Sequence, residues 1–393
     1  MVVTNTTIRA VNALTARWAG DLRKDTNSVF SAAGVWPLLA FLADGAGAAA
    51  REELAEAVGV PAGRAAAAAR ELLAGMAEIG GLDTAVGLWT KRTLEPRQEW
   101  ETGLPVGAHG VLSGDTVADG AALDAWAAKR TGGLVERMPV VLRDDTELVL
   151  ASALAMRTRW LRPFDEVPLD SPAWNESVVL GLRRRTELLD RIGVADTPGG
   201  HLTELKVLGT NGIDVHLLLG QEHLTPGQVL GAGVELLART HPVVPGSRLP
   251  YGEVGPGLRV LRQRSTTPDP PMLEVTTAAF GVTADHDLLA RHELFGLTTA
   301  RDTDRGHFPG VSAQPLAVGA AGQCAVAEFG AEGFRAAAVS SFALAAAGGL
   351  PQLRWTTTTL KARFDRPFGF LALHRHSRLV LAAGWVAEPT PFR

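Results

Sequence analysis

Apolar residues near the start of the chain recur every three to four positions, as they do on one face of an amphipathic helix. The apolar positions of this first predicted helix are Ile8, Val11, Leu14, Trp18 and Leu22. Residues 35–43 are almost wholly apolar and predict a buried helix, while residues 51–58 and 64–79 are rich in Ala, Glu and Leu and predict two more. Helical spacing returns over residues 121–138. The first part of the chain is therefore predicted to be mainly helical.

Strand-like patterns begin at residue 82 and dominate the later part of the chain. Residues 82–94 have strand character, and residues 147–156 form a short, nearly unbroken apolar run. Such a run is typical of a strand that is covered on both faces in the middle of a sheet. Residues 213–219 and 273–282 alternate and are bounded by Gly and Pro, which predicts strands of further sheets. The two halves together predict an α+β fold.

The composition is that of a globular protein. The chain has 393 residues, of which 46% are apolar and 20% are charged. Neither an internal repeat nor a Gly- and Pro-rich linker divides it, so we expect a single domain over residues 1–393. The net charge is −4, and the cationic triplet Arg183, Arg184 and Arg185 is expected to be solvated surface. We therefore expect no nucleic-acid partner.

The sequence also bears on where the protein works. Residues 1–23 carry polar groups every few positions, unlike a secretion signal, and no stretch approaches the roughly 20 apolar residues that span a bilayer. Cys324 is the only cysteine and cannot form an internal disulfide. The interpretation is a cytoplasmic protein, taken as a monomer, without a membrane partner.

Candidate catalytic and metal-binding residues are few. The chain contains no nucleophile elbow Gly-x-Ser-x-Gly, no phosphate-binding Gly-x-x-x-x-Gly-Lys-Ser/Thr and no zinc-binding His-Glu-x-x-His. His374 and His376 would share a strand face but lack further ligands at metal-binding spacing, while His286 and His292 are interpreted as surface residues. Cys324 lies among small apolar residues, which favours packing over nucleophilic chemistry. We expect no metal and no cofactor, and the sequence does not favour an enzyme.

Several segments, taken in order, resemble the serpin family of serine protease inhibitors, in a form similar to divergent bacterial members. These segments are residues 27–31, 53–59, 125–135, 148–164, 307–311, 364–368 and 379–389. Residues 148–164 are the most specific of them, because they are similar to the family's central strand with its tryptophan, here Trp160, and its Pro-Phe ending. The resemblance implies the serpin fold, an α+β domain with about eight or nine helices packed on three β-sheets and an exposed reactive-centre loop.

The resemblance also implies a mechanism for residues 334–358. In serpins this loop is bait: a target protease attacks it, and the cut loop inserts into a sheet while the protease stays trapped as a covalent acyl-enzyme. The implied hinge consists of Gly333, Phe334, Arg335, Ala336, Ala337 and Ala338. With the family's register, the inward-facing positions are Phe334, Ala336, Ala338, Ser340, Phe342 and Leu344. This pattern is compatible with a strand, and the alternative is that residues 336–347 form a helix or a loose loop.

The bait bond is implied by the family's offset from Gly333. That offset selects Ala347–Gly348, which would suit an elastase-like or subtilisin-like protease. The segment is several residues longer than is usual in the family, so Leu350 and Arg354 are alternatives. A cut after Arg354 would instead imply a trypsin-like target.

The chain departs from the family at positions that control loop insertion. Phe334 stands where a small residue is usual, and its bulk is expected to slow insertion at a cost of about 1 to 3 kcal/mol. In serpins a cluster of polar residues fastens the central sheet. Within that cluster, Gly34 stands at a Ser position, Ser152 at an Asn position and Gln323 at a His position. Ser31, Ser152 and Gln323 are predicted to form a smaller hydrogen-bonded set.

Two hypotheses follow from this sequence. The first is a protease inhibitor rather than a catalyst, one that presents its loop as bait and needs no cofactor. The second is a serpin fold that no longer inhibits and serves small-molecule binding or catalysis instead. Shared descent does not decide between them, because function depends on the site and not on the fold.

Overall fold

The computed structural model describes residues 3–174, 178–303, 305–334 and 354–392. These residues contain eight α-helices. Their bounds are α1 Asn5–Ala19, α2 Ala32–Gly45, α3 Ala48–Val58, α4 Ala62–Ala77, α5 Gln98–Gly103, α6 Thr116–Thr131, α7 Pro226–Leu237 and α8 His292–Phe295. Six of the eight lie before residue 132, as the early helical spacing predicts.

The described residues also form twenty strands, which make three sheets. In the first part and middle of the chain these are β1 Ser28–Phe30, β2 Leu82–Lys91, β3 His109–Leu112, β4 Leu148–Met156, β5 Thr158–Arg159, β6 Asp165–Asp170, β7 Val178–Thr186, β8 Ile192–Thr197, β9 Gly200–Leu208 and β10 Ile213–Leu219. Those that follow are β11 Val243–Pro245, β12 Gly252–Gly255, β13 Leu258–Ser265, β14 Met272–Ala278, β15 Phe280–Asp287, β16 Val318–Phe329, β17 Gly333–Phe334, β18 Trp355–Arg363, β19 Phe368–His374 and β20 Val380–Val386. The predicted α+β fold is confirmed.

Local capping explains where the helices begin and end. The hydroxyl of Thr4 accepts a hydrogen bond from the Thr7 amide at 3.3 Å and starts α1. At the end of α6, Gly132 and Gly133 both have positive φ angles, which side chains disfavour and glycine adopts readily. The prediction of one helical segment over residues 121–138 was therefore wrong beyond Thr131.

The main sheet contains seven strands in the order β3-β2-β4-β16-β17-β5, with β15 along the other side of β16. Strand β4 pairs antiparallel with β2 and parallel with β16, and all nine of its residues are buried. This confirms the prediction of a central strand over residues 147–156. The parallel β4–β16 pairing, from Val318–Leu148 to Ala325–Leu154, is called the seam below.

The other two sheets complete the core. The second sheet has the order β1-β20-β19-β10-β9-β8-β11, and it joins the two ends of the chain because Phe30 pairs with Ala383. The third sheet has the order β12-β13-β18-β14-β7-β6. Residues 273–282, predicted as one strand, are divided between β14 of the third sheet and β15 of the main sheet. The chain crosses at Ala279, which is buried and whose N–H donates to Leu180 O at 2.8 Å.

Helix α2 lies behind the main sheet and is buried over almost its whole length. It packs against α1, α4, β4 and β20, so it connects the sheets to the helical layer. Pro37 lies in its interior, where a proline removes one backbone hydrogen bond. Within the described part of the chain, no helix is both long and apolar enough to cross a membrane.

Candidate functional site

Strand β17 fills an opening at one end of the main sheet. Phe334 pairs with Phe329 of β16 on one side and with Thr158 of β5 on the other. Its ring is 1% exposed and lies 6.3 Å from the ring of Phe370. We call β17, β5 and the adjoining end of β16 the sheet opening. Phe334 therefore already lies within the main sheet, with its ring buried.

Gly333 is required by a close approach of two backbones. A Cβ atom on this residue would lie 2.2 Å from the carbonyl oxygen of Thr158 and 3.1 Å from the Cα of Arg159. Neither atom belongs to a flexible side chain, so β5 itself would have to move. The geometry therefore gives a physical reason for the glycine that the family resemblance assigns to the hinge.

Trp160 anchors the backbone on the other side of the sheet opening. Its N–H and its ring Nε1–H donate to the carbonyl oxygens of Glu332 and Gly330, both at 2.9 Å. Its ring lies 4.9 Å from that of Phe329, and the N–H of Phe164 donates to Ala331 O at 2.9 Å. These bonds hold the turn before Gly333 and thereby place β17.

The predicted set of Ser31, Ser152 and Gln323 is formed across the seam, and all three are fully buried. Gln323 Nε2 donates to Ser31 O at 2.9 Å and to Ser152 Oγ at 3.3 Å, while its Oε1 accepts from Ser31 N–H at 2.7 Å. Ser31 Oγ donates to Leu381 O at 2.6 Å and accepts from Gly34 N–H at 3.0 Å. This set, called the latch, ties β4 and β16 to the start of α2 and to β20.

Gly34 leaves the space that the latch uses. A Cβ at this position would lie 2.6 Å from Ser152 Oγ and 3.3 Å from Gln323 Nε2. Both neighbours are buried and hydrogen-bonded, so neither can move away without cost. Glycine at position 34 and the short side chain of Ser152 therefore depend on each other, in an arrangement that differs from the one usual in the family.

Two sequence interpretations of charged or titratable residues were wrong. His286 is not a surface residue: it is 4% exposed, its Nε2 lies 2.8 Å from Val29 O, and its ring packs against Trp18. Burial, together with the charge of Arg291, lowers its pKa despite the hydrogen bond to Val29 and the charge of Asp285. Its partner Val29 lies on β1, a strand that sequence spacing alone does not connect to β15.

Arg184 is the second exception, because it is buried although Arg183 and Arg185 are exposed. Its guanidinium lies 4.2 Å from the centroid of the Phe164 ring and donates from Nη1 to Arg162 O at 2.7 Å. Burial, followed by the charges of Arg162 and Arg191, lowers the pKa of Arg184 to about 10. Side chains alternate along β7, so the middle arginine of the triplet faces inward.

Cys324 lies in the core beside the seam. Burial, a hydrogen bond to Asp285 and the charge of that carboxylate raise the pKa of its thiol to about 12. A thiol of this kind is protonated at neutral pH and is a poor nucleophile. The interpretation of Cys324 as a packing residue agrees with this environment.

Most of the implied bait segment lies outside the described residues. This holds for Arg335, Ala336, Ala337, Ala338, Ala347, Gly348 and Leu350. Arg354 is described and exposed, but the residue after it, Trp355, is the first of β18 and pairs with Ser265. A bond after Arg354 thus joins an exposed residue to a strand held between β13 and β14.

A cavity that the sequence did not indicate lies between α1, α7 and the turn after β19. Its volume is about 710 Å³, and its lining includes Arg9, Asn12, Ala13, Arg239 and His376. His374 and His376 have ring centroids 5.6 Å apart, and His374 Nδ1 lies 2.9 Å from Ser377 Oγ. Among the described residues, no three His, Cys, Asp or Glu side chains lie close enough together to hold a metal ion.

Comparisons with known proteins agree with this architecture. The family model described as "Serpin (serine protease inhibitor)" matches residues 4–171. A search of curated proteins gave no match. Human thyroxine-binding globulin in complex with its hormone is 18% identical with a TM-score of 0.74, covering 99% of this chain and 99% of that chain.

Two further solved structures are similar over nearly the whole chain. Tengpin, a thermophilic serpin in its native state, is 15% identical with a TM-score of 0.72, covering 98% of this chain and 94% of that chain. Native protease nexin-1 with heparin is 15% identical with a TM-score of 0.71, covering 98% of this chain and 100% of that chain. These likenesses show that the chain has the serpin fold over nearly its whole length, and residues 4–171 are similar to the serpin family in sequence.

Proposed function

We propose that this protein presents the segment after Phe334 as bait to a serine protease and traps the protease by inserting the cut segment into the main sheet. The observation that carries the proposal is β17. Gly333 and Phe334 already form a strand between β16 and β5, directly before the implied bait segment in sequence. Insertion then extends an existing strand, which requires the seam to part and the latch to release.

The sequence after β17 supports this proposal through its alternation. Inward positions carry small or apolar side chains, and Arg335 would face outward. Neighbouring side chains of a strand point to opposite faces, so an added charge should block insertion at an inward position and be tolerated at an outward one. Ala338 and Ala337 provide such a matched pair.

The test is incubation with subtilisin, elastase, trypsin and chymotrypsin, followed by denaturing gel electrophoresis and mass analysis. We expect the protein and Ala337→Glu to form a covalent adduct with at least one protease, with Ala347–Gly348 as the cut bond. Ala338→Glu should be cut without forming an adduct. Clean cleavage of the unaltered protein by every protease, or equal behaviour of the two variants, would count against the proposal.

A second candidate function is the binding of a small molecule in the cavity between α1 and α7. Its volume of about 710 Å³ lies within the range of about 300–1,000 Å³ that is usual for ligand sites. Two of the similar structures are thyroxine-binding globulin with its hormone, a serpin fold that carries a ligand.

This candidate is tested by calorimetric titration with thyroxine. Ala13→Trp should fill the cavity and abolish binding, whereas Ala67→Trp, on the exposed face of α4, should not change it. Binding that is insensitive to Ala13→Trp would rule out this cavity as the site. Adduct formation without thyroxine binding would leave inhibition as the function.

A further inference from the structure

A second cavity, with a volume of about 120 Å³, lies beside the sheet opening. It is next to Phe164, whose ring packs against Arg184 of the cavity lining. Four cationic side chains contribute to its lining: Arg162, Arg184, Arg191 and Lys206. Its apolar lining comes from Leu161, Leu188 and Leu208. We call it the arginine cavity. Within the part of the chain that the structure describes, no aspartate or glutamate lines it.

The positive charge in the arginine cavity lacks compensation. Lys206 pairs with Glu204 at 3.3 Å, but none of the ion pairs among the described residues includes Arg162, Arg184 or Arg191. Arg162 donates from Nη1 to the neutral hydroxyl of Thr186 at 3.0 Å. The charges of Arg162 and Arg191 act unfavourably on the buried Arg184, because like charges held close together repel one another.

Arg184 is the buried cation of the arginine cavity and has an unused hydrogen-bond donor. The side chain is 8% exposed, and its buried Nε has no hydrogen-bond partner among the described residues. Only one of its other donors, on Nη1, bonds to a carbonyl oxygen, that of Arg162. A buried guanidinium usually has a carboxylate or phosphate partner, since its planar donors fit such groups. Among the described residues, Arg184 has no such partner.

The apolar lining of the arginine cavity indicates that a ligand bound there would also have an apolar part. Leu161 and Leu188 are exposed, at 55% and 44%, although both are large aliphatic residues at the cavity. An apolar cavity of about 150 Å³ can hold a benzene molecule, so the arginine cavity suits a group of similar size. An inorganic anion would leave these leucines uncovered.

We propose that the arginine cavity binds a small organic carboxylate with a compact apolar body. The carboxylate faces Arg162, Arg184 and Arg191, and the apolar body covers Leu161, Leu188 and Leu208. This site is separate from the cavity between α1 and α7, and the proposal does not depend on protease inhibition.

The test uses benzoate as the probe, with benzamide as its neutral analogue and inorganic phosphate as the anion without an apolar body. Binding is measured by calorimetry at constant ionic strength, together with the thermal midpoint of the protein. We expect benzoate to bind and to raise the midpoint, and both comparison compounds to bind at least about tenfold more weakly. Benzamide binding as tightly as benzoate would show that charge is not recognised. Phosphate binding as tightly as benzoate would show that the apolar body is not recognised.

Variants locate the site. Arg191→Gln removes a partly buried charge of the cavity, and Arg162→Gln removes an exposed one, so at least one is expected to fold normally. Each should weaken benzoate binding by about tenfold. Arg264→Gln removes the same charge from the exposed face of β13 and should leave binding unchanged. Unaltered binding in both cavity variants, with folding confirmed by circular dichroism, would overturn the proposal.

Discussion

At the scale of single residues, Gly34 shows how the absence of a side chain can preserve a buried set of hydrogen bonds. Helical glycine usually costs up to about 1 kcal/mol relative to alanine, so Gly→Ala in a helix normally stabilises. In α2 the added methyl group would meet Ser152 Oγ at 2.6 Å and disturb the latch. Overpacking of this kind costs about 1 to 3 kcal/mol, which exceeds the gain in helix propensity.

We therefore expect Gly34→Ala to lower the urea midpoint of unfolding. Gly231→Ala in α7 is the matched control, because a Cβ there meets nothing within 4 Å. That variant should raise the midpoint slightly. A rise for both variants would mean that the latch tolerates the methyl group.

His286 makes stability depend on pH. Its pKa is lowered from the ordinary value of 6.5 in the folded protein, so the unfolded chain takes up the proton first as pH falls. The stability contributed by neutral His286 is complete above pH 6.5 and is lost progressively below it.

We expect the urea midpoint to fall more between pH 7.5 and pH 5.5 in the unaltered protein than in His286→Gln, whose amide can still donate to Val29 O. His223→Gln, at an exposed histidine 3.3 Å from a carbonyl oxygen, should keep the full pH dependence. The same slope in all three proteins would show that His286 is not the titrating group.

The sequence predicted the environment of a residue only where the resemblance already groups that residue with its partners. The hydrogen-bonded set of Ser31, Ser152 and Gln323 was predicted because the resemblance assigns all three positions to one polar cluster. The environments of His286 and Arg184 were not predicted, because the local pattern does not show that β15 meets Val29 of β1 or that β7 meets Phe164. Period-two alternation over residues 183–185 was the one signal that pointed to an inward Arg184.

At the scale of elements, β17 fixes the position of the residues directly before the implied bait segment. The strand is only two residues long, yet it is held on both sides and its aromatic side chain is buried. The sequence indicated the hinge glycine but not that the next residue would already lie in the sheet. That outcome depends on the space beside Phe370, which no local pattern shows.

Truncating the buried side chain of Phe334 should lower the free energy of unfolding. Phe→Ala at a buried site typically costs about 3 to 5 kcal/mol, so Phe334→Ala should lower the urea midpoint strongly. Trp355→Ala removes an aromatic side chain that is 50% exposed at the other end of the same segment, and a much smaller change is expected. Equal effects of the two substitutions would mean that Phe334 is not a structural anchor.

Strand β18 begins at the other end of the implied bait segment and is held there by the hairpin β12–β13. Strand β18 pairs with β13 over eight residue pairs and with β14 over five, so it is internal to the third sheet. Hydrogen-bond donors and acceptors on both of its edges are thereby engaged. An internal strand cannot pair with another chain, which guards against edge-to-edge aggregation.

At the scale of the whole molecule, the order of the matching segments allowed the α+β fold and its three sheets to be predicted. Boundaries were less predictable, as residues 132–138 and 273–282 show. In both places a turn or a crossing between sheets interrupts a run of apolar residues. The run itself indicates burial, but it does not indicate which layer the chain enters.

The pairing of β1 with β20 has a consequence for how the protein is made. Residues 28–30 leave the ribosome early, but their partners, residues 383–385, follow roughly 350 positions later. At about 5–20 residues per second, β1 stays without its neighbour for tens of seconds of synthesis. Asn12 of α1 waits equally long, because it bonds to Arg378 O and Val380 N–H. We therefore expect the nascent chain to expose apolar surface until translation ends, and its yield in a cell to rise when chaperones that bind such surface are supplied.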